Sequence, residues 1–394
     1  MVLPWYAPET PGGAESLGAQ LAFRLADVGV AVDLLTTTIR RFASEWGENY
    51  HRSGINKLLE GVRLFRFSVQ PRNTAEFVRL NGRLLETGKL VPEEEAAFWT
   101  QMIRCPDLEK YLAEHHREYE AVVFLPYLFS TTVQGMEICG DRGVLVPCLH
   151  DEPYARLSRV RKMFLSARRV IYLSEPEKQL AGRLYGRLPG MERVLGAGLD
   201  EVPLPNPERF RRRYRLTQPY LLYVGRQDAG KNVHQLIHFF DRYLWERPGL
   251  PLQLVLAGPG RMDLPRRLHR QVLRTGVLSE EAKREAMAGA LVFCQPSVNE
   301  SFSIVLMESW LVRRPALVNG RCRVTAHFVR AADGGLYYRD YFEFAACLDW
   351  FLSHPHEAQQ MGRQGCTFVR KNFLWPRLVN EYRKFLCAGG RTNG

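Results

Sequence analysis

The segment Asn299-Glu300-Ser301-Phe302-Ser303-Ile304-Val305-Leu306-Met307-Glu308-Ser309 sets two glutamates eight residues apart, behind an apolar run, Leu291-Val292-Phe293-Cys294. The apolar run predicts a buried strand, the small polar residues after it a loop, and the residues from Ile304 a short helix. Glu300 then sits in the loop leaving the strand. Ser301 and Ser303 are suited to cap the helix. Glu308 lies about one turn inside it, at roughly 3.6 residues per turn. A helix N-terminus attracts an anion such as a diphosphate. Carboxylates beside a bound anion would repel it, so their use must be for something neutral and rich in hydroxyls. A sugar meets that description, and so does the ribose of a nucleotide.

The same strand-then-helix rhythm runs through the second half of the chain. Tyr220-Leu221-Leu222-Tyr223-Val224-Gly225-Arg226 reads as a strand, Gln227 to Asn232 as its loop, and a helix follows from Val233. A second strand from Leu252 ends in Gly258-Pro259-Gly260, and a short one is expected at Thr275–Leu278 before a helix capped by Ser279. Ala316–Asn319 and Leu336–Tyr338 are further strands, and Tyr341–Leu386 is mostly helical. In an α/β domain of this kind ligands bind at the carboxyl ends of the strands. Arg226, Lys231, Gly258, Glu300, Ser303 and Glu308 all fall at such ends. Two cations and a helix N-terminus fit a diphosphate, and the two glutamates fit hydroxyls.

The first half carries a second α/β pattern. A short strand at Val2–Tyr6 leads through Gly12-Gly13 into a helix with Leu17, Leu21, Leu25 and Val28 on one face. Strands follow at Val30–Thr36, Gly61–Phe67, Ala121–Leu125, Gly143–Pro147 and Val170–Leu173. Residues 75–117 read as an amphipathic helical layer, the alternative being a face that meets lipid. His150 arrives at a strand end beside Asp151 and Glu152, which are candidate helix caps. Gly196, Gly198, Pro203, Pro205 and Pro207 interrupt regular structure and mark a linker.

At 394 residues the chain exceeds one ordinary core, so two domains are expected. No apolar run approaches the ~20 residues that span a bilayer, and the start lacks the features of a signal peptide. The eight cysteines form no Cys-x-x-Cys pair and predict scattered, buried, reduced thiols. A cytoplasmic chain is therefore expected. The net charge of +12 attracts phosphates, nucleic acid or an anionic membrane surface. Residues 153–193 hold ten Lys or Arg against three Glu, either a patch for an anionic membrane or a solvated helix face. The chain has no P-loop, no Gly-x-Ser-x-Gly elbow and no Asp-x-Asp, which disfavours nucleotide binding through that kind of metal site.

Taken together, Glu300-Ser301-Phe302-Ser303-Ile304 with Glu308, Tyr223-Val224-Gly225-Arg226 with Lys231, Ala257-Gly258-Pro259-Gly260 and Gly12-Gly13-Ala14-Glu15 resemble, in order and spacing, the signature of glycosyltransferase family 4. The resemblance implies a GT-B architecture of two Rossmann-like domains facing across a cleft. It puts residues 1–200 on the acceptor side, joined by a crossover helix at about 374–394, and the nucleotide-sugar donor domain at 201–373. It implies a retaining, metal-independent transfer of a hexosyl-type sugar from a nucleotide-diphosphate sugar, with no cofactor. The implied acceptor is a glycan or lipid-linked glycan of cell-surface polysaccharide synthesis, reached from the cytoplasm or the inner membrane face. By the same resemblance Arg226 and Lys231 hold the diphosphate, Glu300 orients the donor sugar and Glu308 the ribose. Gly12 and Gly13 close on the phosphate and acceptor side, and His150 lies near the sugar. Gly225, Gly258, Ser301, Phe302, Ser303 and Ile304 complete the donor site. Ser303 departs from the family, which often has Gly there. Two rival readings are a catalytically silent GT-B subunit that binds nucleotide or scaffolds a partner, and a nucleic-acid binder. The chain lacks the interleaved aromatics or recognition motif that the latter needs.

Overall fold

The computed structural model describes residues 1–7, 13–59 and 61–387, which divide into two units: Met1–Gly198 with the chain from Trp375 onward, and Leu199–Leu374. The first unit is built on eight strands: β1 (Val2–Leu3), β2 (Val32–Thr37), β3 (Gly54–Leu59), β4 (Val62–Phe67), β5 (Val122–Phe124), β6 (Gly143–Leu145), β7 (Arg169–Tyr172) and β8 (Met191–Val194). Their order is β3-β4-β2-β1-β5-β6-β7-β8, parallel throughout except for the β3–β4 hairpin. Its helices are α1 (Gly13–Asp27), α2 (Thr74–Thr87), α3 (Pro92–Thr100), α4 (Pro106–His115), α5 (Ser130–Cys139), α6 (Ser158–Ser166) and α7 (Glu175–Tyr185). From β1 the chain builds outward in both directions, which makes the carboxyl ends of β1 and β5 the switch point of the sheet.

The helical layer over residues 74–115 faces the core. Phe77, Leu80, Leu84, Phe98, Trp99, Met102, Leu108 and Leu112 are all buried. These side chains are committed to packing, while Val78, Leu85 and Val91 of the same layer are exposed. β3 and β8 are strands that the apolar pattern did not predict. Ile55 on β3 is exposed and β8 alternates exposed with half-buried residues, so neither shows the apolar run of a central strand.

The second unit has six parallel strands: β9 (Tyr220–Val224), β10 (Gln253–Ala257), β11 (Val272–Gly276), β12 (Val292–Gln295), β13 (Ala316–Asn319) and β14 (Gly335–Tyr338). They lie in the order β11-β10-β9-β12-β13-β14. The helices are α8 (Pro207–Tyr214), α9 (Val233–Trp245), α10 (Glu280–Gly289), α11 (Ile304–Leu311), α12 (Arg323–Ala332), α13 (Tyr341–Ser353) and α14 (Pro355–Asn372). The strands read as near-continuous apolar runs because both faces are covered: Leu221, Leu222, Leu254, Val255, Leu256, Val292 and Leu317 are all fully buried. β11 lies earlier than the expected Thr275–Leu278. Gly276, at a φ of +68°, turns the chain out of the sheet and leaves Val277 exposed.

The last helix, α15 (Trp375–Cys387), belongs to the first unit. Trp375 lies so close to Gly198 that a Cβ there would meet its ring at 2.2 Å. The Tyr382 hydroxyl donates to the Gly196 carbonyl at 2.5 Å. Arg169, first residue of β7, is 3% exposed and donates to the carbonyls of Leu386 on α15 (2.9 Å), Arg142 (3.1 Å), Glu120 and Asp141 (both 3.4 Å). Burial pulls its pKa down. Within residues 153–193, expected as a membrane patch or a solvated helix face, Arg169 is instead an internal strut. Much of the remaining charge is also spoken for: Arg156 pairs with Asp151, Arg159 and Lys162 with Glu137, and Arg168 with Asp141. The thiols need a smaller correction. Cys105, Cys139, Cys294, Cys322 and Cys366 are buried, Cys148 and Cys347 half-buried, and Cys387 exposed. Among the described residues no helix is long and apolar enough to cross a membrane.

Replacing Arg169 with Met should therefore orphan several buried carbonyls and destabilise the protein by about 3 kcal/mol, since hydrogen bonds to charged groups are the stronger kind. Arg168→Met, on an exposed pair, should change it by less than about 0.5 kcal/mol. Denaturant unfolding of the two variants separates these outcomes, and equal effects would refute the strut.

Candidate functional site

In the second unit the strand order reverses between β9 and β12, the position where open α/β sheets bind ligands. The loop after β9 carries Arg226 and Lys231, and the loop after β12 carries Glu300. The two loops meet: Lys231 Nζ lies 2.7 Å from Glu300 Oε1, with both side chains mostly buried. Gln295, the last residue of β12, donates from Nε2 to the same Glu300 oxygen at 3.0 Å and to Ser303 Oγ at 3.1 Å. Arg226 is more exposed, and its Nε lies 3.3 Å from Asp228 Oδ2. Asp228 also accepts from the Lys231 backbone N–H at 3.0 Å, which closes the short turn Ala229–Lys231.

Two asparagines brace this switch point. Asn232, at a φ of +56°, and Asn319, at the end of β13, both donate to the Pro296 carbonyl and to Gln235 Oε1. The ends of β9, β12 and β13 are thereby tied through one carbonyl. On the other side, the Gly225 and Gln227 N–H groups donate to Ala257 and Pro259. That stitch needs glycine at 258: its φ is +129°, and a Cβ would fall 2.0 Å from the Gly225 carbonyl oxygen. Gly225 and Gly258 thus shape the backbone between the cationic loop and the Gly-Pro-Gly turn.

Helix α11 begins at Ile304, as the sequence predicts, but its cap differs from the expectation. Ser303 occupies the cap position with φ +71° and makes no side-chain cap; its oxygen accepts from Gln295. A left-handed backbone here explains why glycine is the unstrained residue at this position. Ser301 and Phe302 are buried, Phe302 packing edge-on to Phe328 and Phe373. Phe302 therefore fixes the loop from beneath. The Leu306 and Met307 N–H groups donate to the Ser303 carbonyl, and those of Ile304 and Val305 lie ahead of the first turn's hydrogen bonds.

Glu308 sits deeper. Its Oε1 accepts from Lys283 Nζ on α10 at 2.8 Å, and Lys283 also reaches Glu280 at 2.9 Å. Oε2 is buried and, among the described residues, has no hydrogen-bond partner. Burial raises the Glu308 pKa, and Lys283 opposes that rise. Burial lowers Lys283, but Glu308 and Glu280 more than offset it. The sequence reading missed Lys283, Gln295 and both asparagines, because each acts across elements that spacing cannot relate. Asp228 was readable as a turn cap three residues before Lys231.

In the first unit Gly12 lies outside the described residues. Gly13 opens α1, and a Cβ on it would meet nothing within 4 Å. His150 follows β6, half-buried, with Nδ1 3.8 Å from Glu152 Oε1. Glu152 does not cap the turn after it; it accepts from the buried Tyr127 hydroxyl at 2.8 Å. Asp151 pairs with Arg156 instead of capping. The neighbouring Leu149 N–H donates to Glu177 Oε1 at 2.6 Å, and Leu173 N–H to Oε2 at 2.5 Å. Glu177 is fully buried, which pushes its carboxyl up to about 8 despite the N–H donors of Leu173, Leu149 and Ser174.

Residues 206–367 match the family model described as glycosyl transferases group 1. The match covers most of the second unit, which is therefore similar to the group 1 glycosyl transferases. The chain is 26% identical to a D-inositol 3-phosphate glycosyltransferase of Kribbella flavida, over 92% of the chain and 88% of that protein. It is 29% identical to a trehalose synthase of Rubrobacter xylanophilus over 42% of each, so the match spans less than half of that relative's length. Among solved structures it is similar to sucrose-phosphate synthase of Thermosynechococcus elongatus, with TM-score 0.70, 20% identity and coverage of 96% and 94%. It is also similar to HepE of Anabaena in complex with UDP-glucose, with TM-score 0.69, 17% identity and coverage of 98% and 99%. The family-model match and the two largely parallel α/β sheets bear out the GT-B fold class and the resemblance read from the motifs.

Glu177 gives a pH signature for the first unit. Between the ordinary carboxylate range and about 8 the folded chain holds a proton that the unfolded chain releases. Stability is thus fully present at low pH and is lost as pH rises through that window. The expected result is a fall in unfolding free energy from about pH 5 to about pH 8 that flattens in Glu177→Gln. Parallel pH curves for the two proteins would remove Glu177 as the cause.

Proposed function

We propose that the protein is a retaining glycosyltransferase that moves a hexosyl-type sugar from a nucleotide-diphosphate sugar to an acceptor. The meeting of Lys231 and Glu300 at 2.7 Å, beside the N-terminus of α11 and at the sheet's switch point, carries this reading. Arg226, Lys231 and the α11 N–H groups take the donor's diphosphate and stabilise the leaving group's charge. With those cations in place the reaction needs no metal. Glu300, held by Lys231 and Gln295, orients the sugar hydroxyls. Glu308 accepts from the ribose diol through Oε2. The leaving phosphate receives the acceptor's proton, so no protein base is assigned. We assign His150 to the sugar and Gly12-Gly13 to the phosphate and acceptor side, as the family resemblance implies. That HepE has been solved with UDP-glucose, and that the Kribbella flavida relative is named a glycosyltransferase, support a nucleotide-sugar donor.

Screening UDP, GDP and ADP for thermal stabilisation should identify the nucleotide, because a ligand that binds only the folded state raises apparent stability. With the matching sugar donor, Glu300→Gln should lower kcat at least about a hundredfold while leaving nucleotide affinity within about threefold. Unchanged turnover would refute the role of Glu300. Nucleotide binding with no transfer to any acceptor would favour a silent binding subunit.

The acceptor we propose is a glycan or lipid-linked glycan of cell-surface polysaccharide synthesis, met in the cytoplasm at an anionic membrane surface. The support is the net charge of +12. Because Arg156, Arg159, Lys162 and Arg168 are partly neutralised by acidic partners, the attraction should be modest. Flotation should enrich the protein on anionic over neutral liposomes and lose that preference in high salt. Equal flotation on both would end the proposal.

A further inference from the structure

Lys283 is 14% exposed in its side chain and spans two helices, reaching Glu308 on α11 and Glu280 on its own helix. A lysine so placed must be matched in charge, and the Glu308 carboxylate matches it at 2.8 Å. The match is one-sided. Oε1 of Glu308 is engaged while Oε2 is buried with no partner among the described residues. A purely structural ion pair would satisfy both oxygens, since a buried unpaired oxygen is unfavourable. The charged groups that face Glu308 are Lys283, Glu280 and Arg284, all on α10.

We propose that Lys283 is a positioning residue for nucleotide recognition, holding Glu308 by Oε1 as an ionised carboxylate so that Oε2 accepts from the ribose diol. The inference rests on the proposed ribose role of Glu308 and adds what that role requires. Burial alone drives Glu308 toward its protonated form, in which one oxygen becomes a donor and the charge-assisted bonds to the diol are lost. The Lys283 ammonium opposes that. It also cancels the negative charge that Glu308 would otherwise hold near the diphosphate site. Lys283 touches neither the sugar nor the reacting bond in this account, so its effect is on nucleotide affinity and not on the chemical step.

The test uses the full chain and whichever of UDP, GDP or ADP stabilises it most, together with that nucleotide's 2′,3′-dideoxy counterpart. Affinities are measured by calorimetry from pH 5.5 to 8.5. The wild type should prefer the ribonucleotide by about tenfold or more at pH 7, as two hydrogen bonds to a charged acceptor imply. Lys283→Met should lose most of that preference, the loss being deeper toward acid pH, because without the ammonium burial favours the protonated carboxyl. Lys283→Arg should keep the wild-type profile, and kcat should change far less than KM in both. If Lys283→Met does not fold, Lys283→Gln gives the same reading. A wild type that does not distinguish the two nucleotides overturns the ribose role of Glu308 and this inference with it. A wild type that distinguishes them, with Lys283→Met or Lys283→Gln showing the same preference and the same pH profile, overturns the inference alone.

Discussion

The Lys231–Glu300 contact joins two loops that leave neighbouring strands in the same direction, and the candidate site depends on it. A cation and a carboxylate are kept side by side at 2.7 Å. Each neutralises the other where burial would otherwise penalise a lone charge. Gln295 then holds the same carboxylate oxygen from below, and the paired asparagines hold the backbone from which both loops spring. None of these side chains is unusual by itself. Their joint effect is a fixed register between the β9 and β12 loops.

Most of the second unit was legible in the sequence because its strands are buried on both faces and its helices begin at readable caps. Tyr220–Val224, Ala316–Asn319 and the start of α11 fall where the apolar runs put them, and Ser279 caps α10 as expected. Periodicity fails where the controlling force is not burial of apolar surface. β3 is an edge strand held by pairing with β4, and its exposed Ile55 breaks the pattern. α12 went unread between two strands because its ends carry no sequence signal: Cys322 gives no side-chain cap and Asp333 ends it in a left-handed turn.

The site was legible as a set of residue types and illegible as a set of pairings. Arg226, Lys231, Glu300 and Glu308 could be gathered at strand ends from the rhythm of the chain. That Lys231 belongs with Glu300, and Lys283 with Glu308, follows from packing between elements far apart in sequence. Ser303 shows the same limit at one residue. Its identity suggested a cap, but its backbone is set by the tight exit from β12, so the hydroxyl serves Gln295. Arg169 looked like one more surface cation because its neighbours are surface cations. Only the fold turns it inward to four carbonyl oxygens.

Arg169 and Leu386 are joined by a hydrogen bond across 217 positions of sequence, and the whole second unit is encoded between them. On a ribosome the strut's last acceptor emerges only after that unit has been made. Domains generally fold as units, amino-terminal first, during synthesis. Here the amino-terminal sheet must wait with Arg169 only partly satisfied, while the later unit has all its strands in hand before α15 appears. The first unit to begin is thus the last to finish, and α15 is the segment that completes it.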